Sequence, residues 1–276
     1  MPRETAAQAV SDIFEHAPWI GAQAVARGPS PTVAALHDAM MTTLRGAPAE
    51  QQIAFIRGHP ELGSKVKRVD ITTASQAEQG SLGLDRLSDA EFAHFQKINA
   101  AYRERFGIPF IICVRRHTRD SILRQFERRL RNTPEQERDA AIQEIGLITR
   151  LRLSAKIDGP GKPKTEGRLS THVLDTTTGR PAAKVPIALY EVGASARGLL
   201  METITNVDGR TDAPLMSEAP LRIGAYQLEF DIAGHFNGKA RMFDRIPIRF
   251  SIAEAEAHYH VPLLVTPWSY TTYRGS

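Results

Sequence analysis

"SAKIDGPGKPKTEGR", residues Ser154 to Arg168, separates two stretches of chain with different hydrophobic periods. It collects glycine, proline and lysine with hardly an apolar anchor, which is the composition of a linker. Upstream, apolar residues recur at three and four in "VAALHDAMMTTL" (Val33–Leu44), "DAEFAHFQKINAAYRERF" (Asp89–Phe106), "DSILRQFERRL" (Asp120–Leu130) and "RDAAIQEIGLITRLRL" (Arg138–Leu153). Each has the length and pattern of an amphipathic helix. Ser88 with Glu91 predicts a capping box, and Thr133-Pro134-Glu135 places proline in a first helical turn. Downstream the period falls to two: "LSTHVLD", "VPIALYEV", "LMETITN", "AYQLEFDIA", "IPIRFSI" and "HYHVPLLV" are short, β-branched or alternating, with turn-forming sequences between them. Such evenly spaced strands predict a β-sandwich of about a hundred residues. "AEAEAHYH" (Ala253–His260) predicts one brief turn of helix before the last of them. The expected organisation is a multidomain α and β protein, with an all-helical domain over 1–153, a flexible linker over 154–168 and a β-sandwich over 169–276.

The 276 residues, 42% hydrophobic, are enough to bury two cores. A single cysteine, Cys113, excludes an intramolecular disulfide and suits a reducing compartment. "MPRETAAQAVSDIFEH" carries acids early and has no continuous apolar segment, so it does not read as a signal peptide. The longest apolar runs, "IPFIICV" and "VPLLV", fall far short of the ~20 residues that span a bilayer. A cytoplasmic protein with no membrane partner is expected. The net charge of +4 comes largely from "FERRLRN" and "ITRLRL", where basic residues interrupt helical apolar spacing and acids lie close by. No nucleic-acid module or stripe of stacking aromatics accompanies them, which argues against nucleic acid and for small anionic substrates.

Polar residues stand where a packed sandwich prefers apolar ones. His172 lies on the first expected strand, with Ser170 and Leu174 as its alternation partners. Arg210 follows the chain-reversing Asp208-Gly209 pair, and His258 and His260, two apart, share a strand face. Each alone is more often a satisfied surface or core residue than a catalyst; two histidines and an arginine on one small domain shift that balance. Three histidines also raise zinc, but the spacing offers no thiolate or carboxylate ligand, so no metal is expected. In the helical half, Pro60 restricts His59 to an extended conformation and projects it from a helix end or loop. Ser75, Glu78 and Gln79 crowd one face of a helix, ordinarily a solvated one.

"LSTHVLDTTTGRPA", "TNVDGR", "HYHVPLL" and closing "YRGS", in this order from Leu169 to Ser276, resemble the 5-hydroxyisourate hydrolases, the transthyretin-related enzymes of urate breakdown. The resemblance implies a transthyretin-like (prealbumin-like) sandwich. It implies catalytic roles for His172, Arg210 and His260, with Tyr273, Arg274, Gly275 and Ser276 lining the substrate cleft. Imidazole suits the deprotonation of water near neutral pH, and a guanidinium stabilises developing negative charge without titrating. His260 and His172 are then the base and water-orienting pair, with Arg210 holding the anionic substrate. Hormone-carrying transthyretins share the fold but lack the histidine pair and the "YRGS" end, which favours the enzyme over a carrier.

"FEHAPWI", "HPELG", the S-x-x-E-Q pattern, "FGIPFI" and "LRL", in order from about Ala6 to Leu153, resemble the 2-oxo-4-hydroxy-4-carboxy-5-ureidoimidazoline (OHCU) decarboxylases. Ile108 departs from the phenylalanine common in that family and alters the packing of the pocket wall. The resemblance implies catalytic roles for His59, Glu78 and Arg152, and substrate contacts from Pro60, Ser75, Gln79, Phe110, Ile111, Ile112, Cys113 and Val114. No cofactor is expected, because the substrate's conjugated ring can accept the electron pair. The implied function is bifunctional: the sandwich opens 5-hydroxyisourate to OHCU and the helical domain decarboxylates OHCU to (S)-allantoin. The alternative is one active half joined to a binding or assembly module. A homo-oligomer is also implied, tetrameric through the sandwich with dimer contacts through the helical domain.

Overall fold

The computed structural model describes residues 2–62, 89–194, 196–238 and 241–275; Ser75, Glu78, Gln79, Ser88 and Ser276 lie outside them. The chain divides into two compact units, Met1–Arg115 with Ile122–Thr165, and Arg116–Ser121 with Glu166–Ser276. No helix among the described residues is long and apolar enough to cross a membrane.

The described residues form seven α-helices: α1 (Arg3–Ala9), α2 (Pro18–Ala26), α3 (Val33–Arg45), α4 (Ala49–Arg57), α5 (Asp89–Phe106), α6 (Arg119–Arg129) and α7 (Pro134–Lys156). The all-helical expectation for this half holds. α3 starts where the Thr32 hydroxyl accepts the Ala35 N–H at 3.0 Å, and its apolar stripe buries Val33, Met40, Met41 and Leu44. α7 starts with Pro134 in the first turn and a full capping box: the Thr133 hydroxyl accepts from the Gln136 N–H, and the Gln136 side chain accepts from the Thr133 N–H at 2.9 Å. The Pro160 and Gly161 carbonyls accept the first N–H groups of α3, from Val33 at 3.0 Å and Ala34 at 3.2 Å, donors that a helix N-terminus otherwise leaves unsatisfied.

A buried ion pair fixes the segment between α5 and α6. Arg129 and Glu137 are almost wholly excluded from solvent, with Arg129 Nε donating to Glu137 Oε1 at 2.9 Å and Nη1 to the Ile111 carbonyl at 2.6 Å. Phe110 stacks on Phe126 with centroids 3.6 Å apart, and the Cys113 N–H donates to Glu144 Oε2 at 2.9 Å. Residues 110–114 are therefore held along their length by α6 and α7.

The sandwich has eight strands: β1 (Arg168–Asp175), β2 (Arg180–Pro181), β3 (Pro186–Val192), β4 (Arg197–Ile204), β5 (Gly224–Asp231), β6 (Arg245–Ile252), β7 (His258–Val265) and β8 (Tyr270–Thr272). They form two sheets, ordered β2-β1-β7-β8 and β4-β3-β5-β6. β1 and β7 run parallel, with Ser170 opposite His260 and His172 opposite Pro262. On β1, Leu169, Thr171, Val173 and Asp175 point into the core; on β7, Tyr259 and Val261 do. The period of two then turns Ser170, His172, His258 and His260 to the outer face of the same sheet. The helical turn expected in "AEAEAHYH" does not form. Residues 253–257 make a turn in which the Ala255 carbonyl accepts the Leu221 N–H at 2.8 Å, and the histidines already belong to β7.

Candidate active sites

The sandwich assembles its outer-face histidines with two segments distant in sequence. A tight turn over Asn206–Arg210 brings Arg210 beside His172 in a β-bridge. The Asn206 side-chain oxygen accepts the N–H groups of Asp208 and Arg210 at 3.0 and 3.2 Å. Gly209 has φ 69° and sits so close to β1 that a Cβ would lie 2.3 Å from the Val173 carbonyl oxygen. Only glycine fits that turn. His260 is bridged in the same way to Gly275, whose N–H donates to the His260 carbonyl at 2.8 Å, while the Arg274 guanidinium lies 4.7 Å above the Tyr259 ring. A Cβ on Gly275 would come within 2.5 Å of His260 Cδ2, so the ring edge rests against the bare backbone.

This cluster is cationic. Burial and then the Arg210 charge hold His172 below the ordinary histidine value, opposed by a hydrogen bond to the Asp208 backbone. Its Nε2 is buried without a hydrogen-bonding partner among the described residues. Burial, Arg210, His172 and His258 push His260 in the same direction. Both imidazoles thus stay neutral to lower pH than a free histidine. His172, Arg210, His260 and Gly275 come together here, whereas the Arg274 guanidinium lies on the ring of inward-pointing Tyr259 and Tyr273 is exposed. Among the described residues no group of three or more potential ligands is arranged to hold a metal ion.

In the helical unit a pocket is walled by Phe110, Ile111, Ile112 and Val114 on one side and by Ile145, Ile148, Thr149 and Arg152 of α7 on another. Its polar edge is His59 with Pro60, at the C-terminal end of α4, and Glu15. His59 Nδ1 lies 3.1 Å from the Phe55 carbonyl. A carbonyl only accepts, so Nδ1 carries the hydrogen and the neutral ring presents Nε2 as its basic nitrogen. Burial lowers the His59 pKa; the Phe55 carbonyl and the Glu15 carboxylate oppose that shift, and Arg152 adds to it. Glu15 is itself buried, with Oε2 3.7 Å from Arg152 Nη1. Cys113 is buried behind the wall rather than on it.

Residues 1–154 match the model of the OHCU decarboxylase family. The chain belongs to the OHCU decarboxylase family. Residues 169–275 match the HIUase/transthyretin family model. The OHCU decarboxylase of Haloferax volcanii is 38% identical over 148 residues, 54% of this chain and 86% of that one. The 5-hydroxyisourate hydrolase of Mesorhizobium japonicum is 51% identical over 116 residues, 40% of this chain and 93% of that one. A crystal structure of (S)-allantoin synthase is 33% identical, with a TM-score of 0.53, and the match covers 100% of this chain and 97% of that one.

Within the OHCU decarboxylase domain, the charged pocket residue that sequence reasoning passed over is Glu15. It stands in the quoted "FEHAPWI", and a lone acid just before a helix reads as solvated. Ile145, Ile148, Thr149 and Arg152 follow a single helix face at spacings of three, one and three, a pattern visible in sequence. In the sandwich, Ser170 was noted only as an alternation partner of His172.

Proposed function

We propose that this chain is a bifunctional enzyme of urate breakdown. The sandwich hydrolyses 5-hydroxyisourate to OHCU, and the helical domain decarboxylates OHCU to (S)-allantoin. The observation that carries the hydrolase reading is the pair of β-bridges joining His172 to Arg210 and His260 to Gly275, which supports one cleft formed from four separate motifs.

In hydrolysis, His260 takes a proton from water as the water attacks the ring carbonyl, and His172 orients that water. Arg210 holds the substrate and steadies the oxyanion. The acyl–nitrogen bond then breaks, the ureido nitrogen receives a proton, and the product leaves as a carboxylate. The depressed basicity of both histidines suits this scheme, because the base must be unprotonated when water binds. Tyr273, Arg274, Gly275 and Ser276 complete the cleft wall.

In decarboxylation the electron pair released with carbon dioxide flows into the substrate's conjugated ring, so the protein supplies geometry, charge and a proton. Arg152 binds the accumulating negative charge. His59, through Nε2, together with Glu78, bonds the hydroxyl and ureido groups and manages proton transfer. Pro60, Ser75, Gln79 and Phe110–Val114 shape the pocket, Cys113 from behind its wall. Delivery of the last proton to one face yields a single enantiomer. Neither step calls for a cofactor.

Exposed Trp268, Tyr270 and Tyr273, on and beside edge strand β8, support a homo-oligomer built through the sandwich as a tetramer, with dimer contacts from the helical domain. Cys113, which forms no disulfide, supports a cytoplasmic setting. The test is to follow freshly generated 5-hydroxyisourate by absorbance and circular dichroism. The intact protein is expected to speed both its loss and the appearance of optically active allantoin. Accelerated loss with racemic product would remove the decarboxylase assignment.

A further inference from the structure

Ser170 stands between two imidazoles. Its Oγ lies 3.0 Å from His260 Nδ1 and 2.9 Å from His258 Nε2, because the parallel register sets Ser170 opposite His260 and Arg168 opposite His258. We propose that Ser170, oriented by His258, is the positioning residue that fixes the tautomer of His260 in the hydrolase site. The proposal rests on the reading of His260 as the base.

The argument follows from counting hydrogens. A serine hydroxyl has one donor and two acceptor sites, and a neutral imidazole has one of each. For His260 to take a proton from water at Nε2, its Nδ1 must already carry one and donate it to Ser170 Oγ. The serine hydrogen is then directed at His258 Nε2, which accepts it. The chain of donors runs His260 Nδ1–H to Ser170 Oγ–H to His258 Nε2, and every site in it is used once. The opposite tautomer of His260 would turn its lone pair toward the serine and leave an N–H facing the cleft, where it can orient water but not deprotonate it.

The surroundings hold this arrangement. Gly275 packs against Cδ2 of His260, on the other edge of the ring from Ser170, so the ring is pinned from two sides and cannot exchange its nitrogens by turning over. Among the described residues, the charged and titratable groups acting on His260 are Arg210, His172 and His258. A neutral hydroxyl fixes the tautomer here without raising the basicity of the ring as an anion would. His258 is exposed on the strand face, where it anchors the serine hydrogen outside the cleft.

The experiment uses the full chain and three variants, with ring ¹⁵N spectra of His260 beside steady-state kinetics. Ser170→Ala is expected to lower kcat roughly 10- to 100-fold, no more than the ~10²–10⁴ that the positioned base itself contributes, with KM nearly constant. The Nδ1-protonated signature of His260 expected in the parent is expected to be lost in this variant. Ser170→Thr keeps the hydroxyl and restores both rate and signature. His260→Ala tests the underlying reading, since it must abolish hydrolysis whatever stands at 170. If His260→Ala is inactive while Ser170→Ala keeps parental kcat and the Nδ1-protonated ring, the positioning role is wrong and the base assignment stands. If His260→Ala hydrolyses normally, the base assignment itself falls.

Discussion

The two candidate sites bring together the same pair of side-chain types, histidine and arginine, in different electrostatic settings. In the helical pocket, buried Glu15 lies beside Arg152 and raises the basicity of His59 against the effect of burial. In the sandwich cleft Arg210 adds to burial in lowering His172 and His260, and the Asp208 carboxylate opposes the shift only weakly and only at His172. The contrast matches the chemistry. Hydrolysis needs a base that stays neutral and a fixed cation for an oxyanion.

The broadest way to break this comparison is to remove one histidine at a time. His59→Ala should reduce decarboxylation by about 10²–10⁴ and leave loss of 5-hydroxyisourate near normal, while His172→Ala should do the reverse. Assays of each step with separately supplied substrate decide it. Loss of both activities in a folded single variant would mean that the sites are not independent.

A smaller but sharper effect is expected from Gly275→Ala. The added methyl lies within 2.5 Å of His260 Cδ2, so the imidazole must move. Displacement of a reacting group by about 1 Å costs on the order of 10²-fold. Hydrolysis should fall by that amount with decarboxylation unchanged; a fully active variant would show that the ring position is not critical.

The charge contrast predicts shifts of opposite sign in the two pH profiles. Arg210 lowers the pKa of His260, so Arg210→Gln should move the acid limb of hydrolase kcat/KM up toward the ordinary histidine value of 6.5, along with a loss of rate. Glu15 raises the pKa of His59, so Glu15→Gln should move the limb governed by His59 to lower pH, with about a tenfold loss of decarboxylation. Shifts of the same sign would refute the comparison. The smallest expected effect is from exhaustive chelation, which should leave both rates unchanged. A loss that zinc restores would assign His258 or His260 to a metal.

Much of this was legible in the residues. The change of period at Ser154–Arg168 announced the all-α and β halves, because each period answers to one backbone geometry. β2 and β8, at two and three residues, are too short to carry a period. "AEAEAHYH" misled because alanine and glutamate favour helix locally, whereas the Ala255 carbonyl is claimed by Leu221 and the histidines by a parallel strand. The individual histidines were readable, but the meeting of Ser170 with two of them was not. It depends on the register of β1 on β7, which no local spacing encodes. Glu15 was hidden for a related reason: its burial depends on Arg152, near the far end of the helical domain.

That register also bears on how the protein becomes active. β3 with β4, and β5 with β6, are neighbours in the chain and close loops of four and thirteen residues, whereas Ser170 and His260 are 90 positions apart. Loop-closure entropy grows with the length closed, and distant pairings delay folding. The residues proposed for hydrolysis therefore meet late in the maturation of the sandwich, after its hairpins have formed. During refolding, hydrolytic turnover should lag the recovery of β-sheet signal. A newly made sandwich would then stay inert toward its reactive substrate until its first and last long strands have joined.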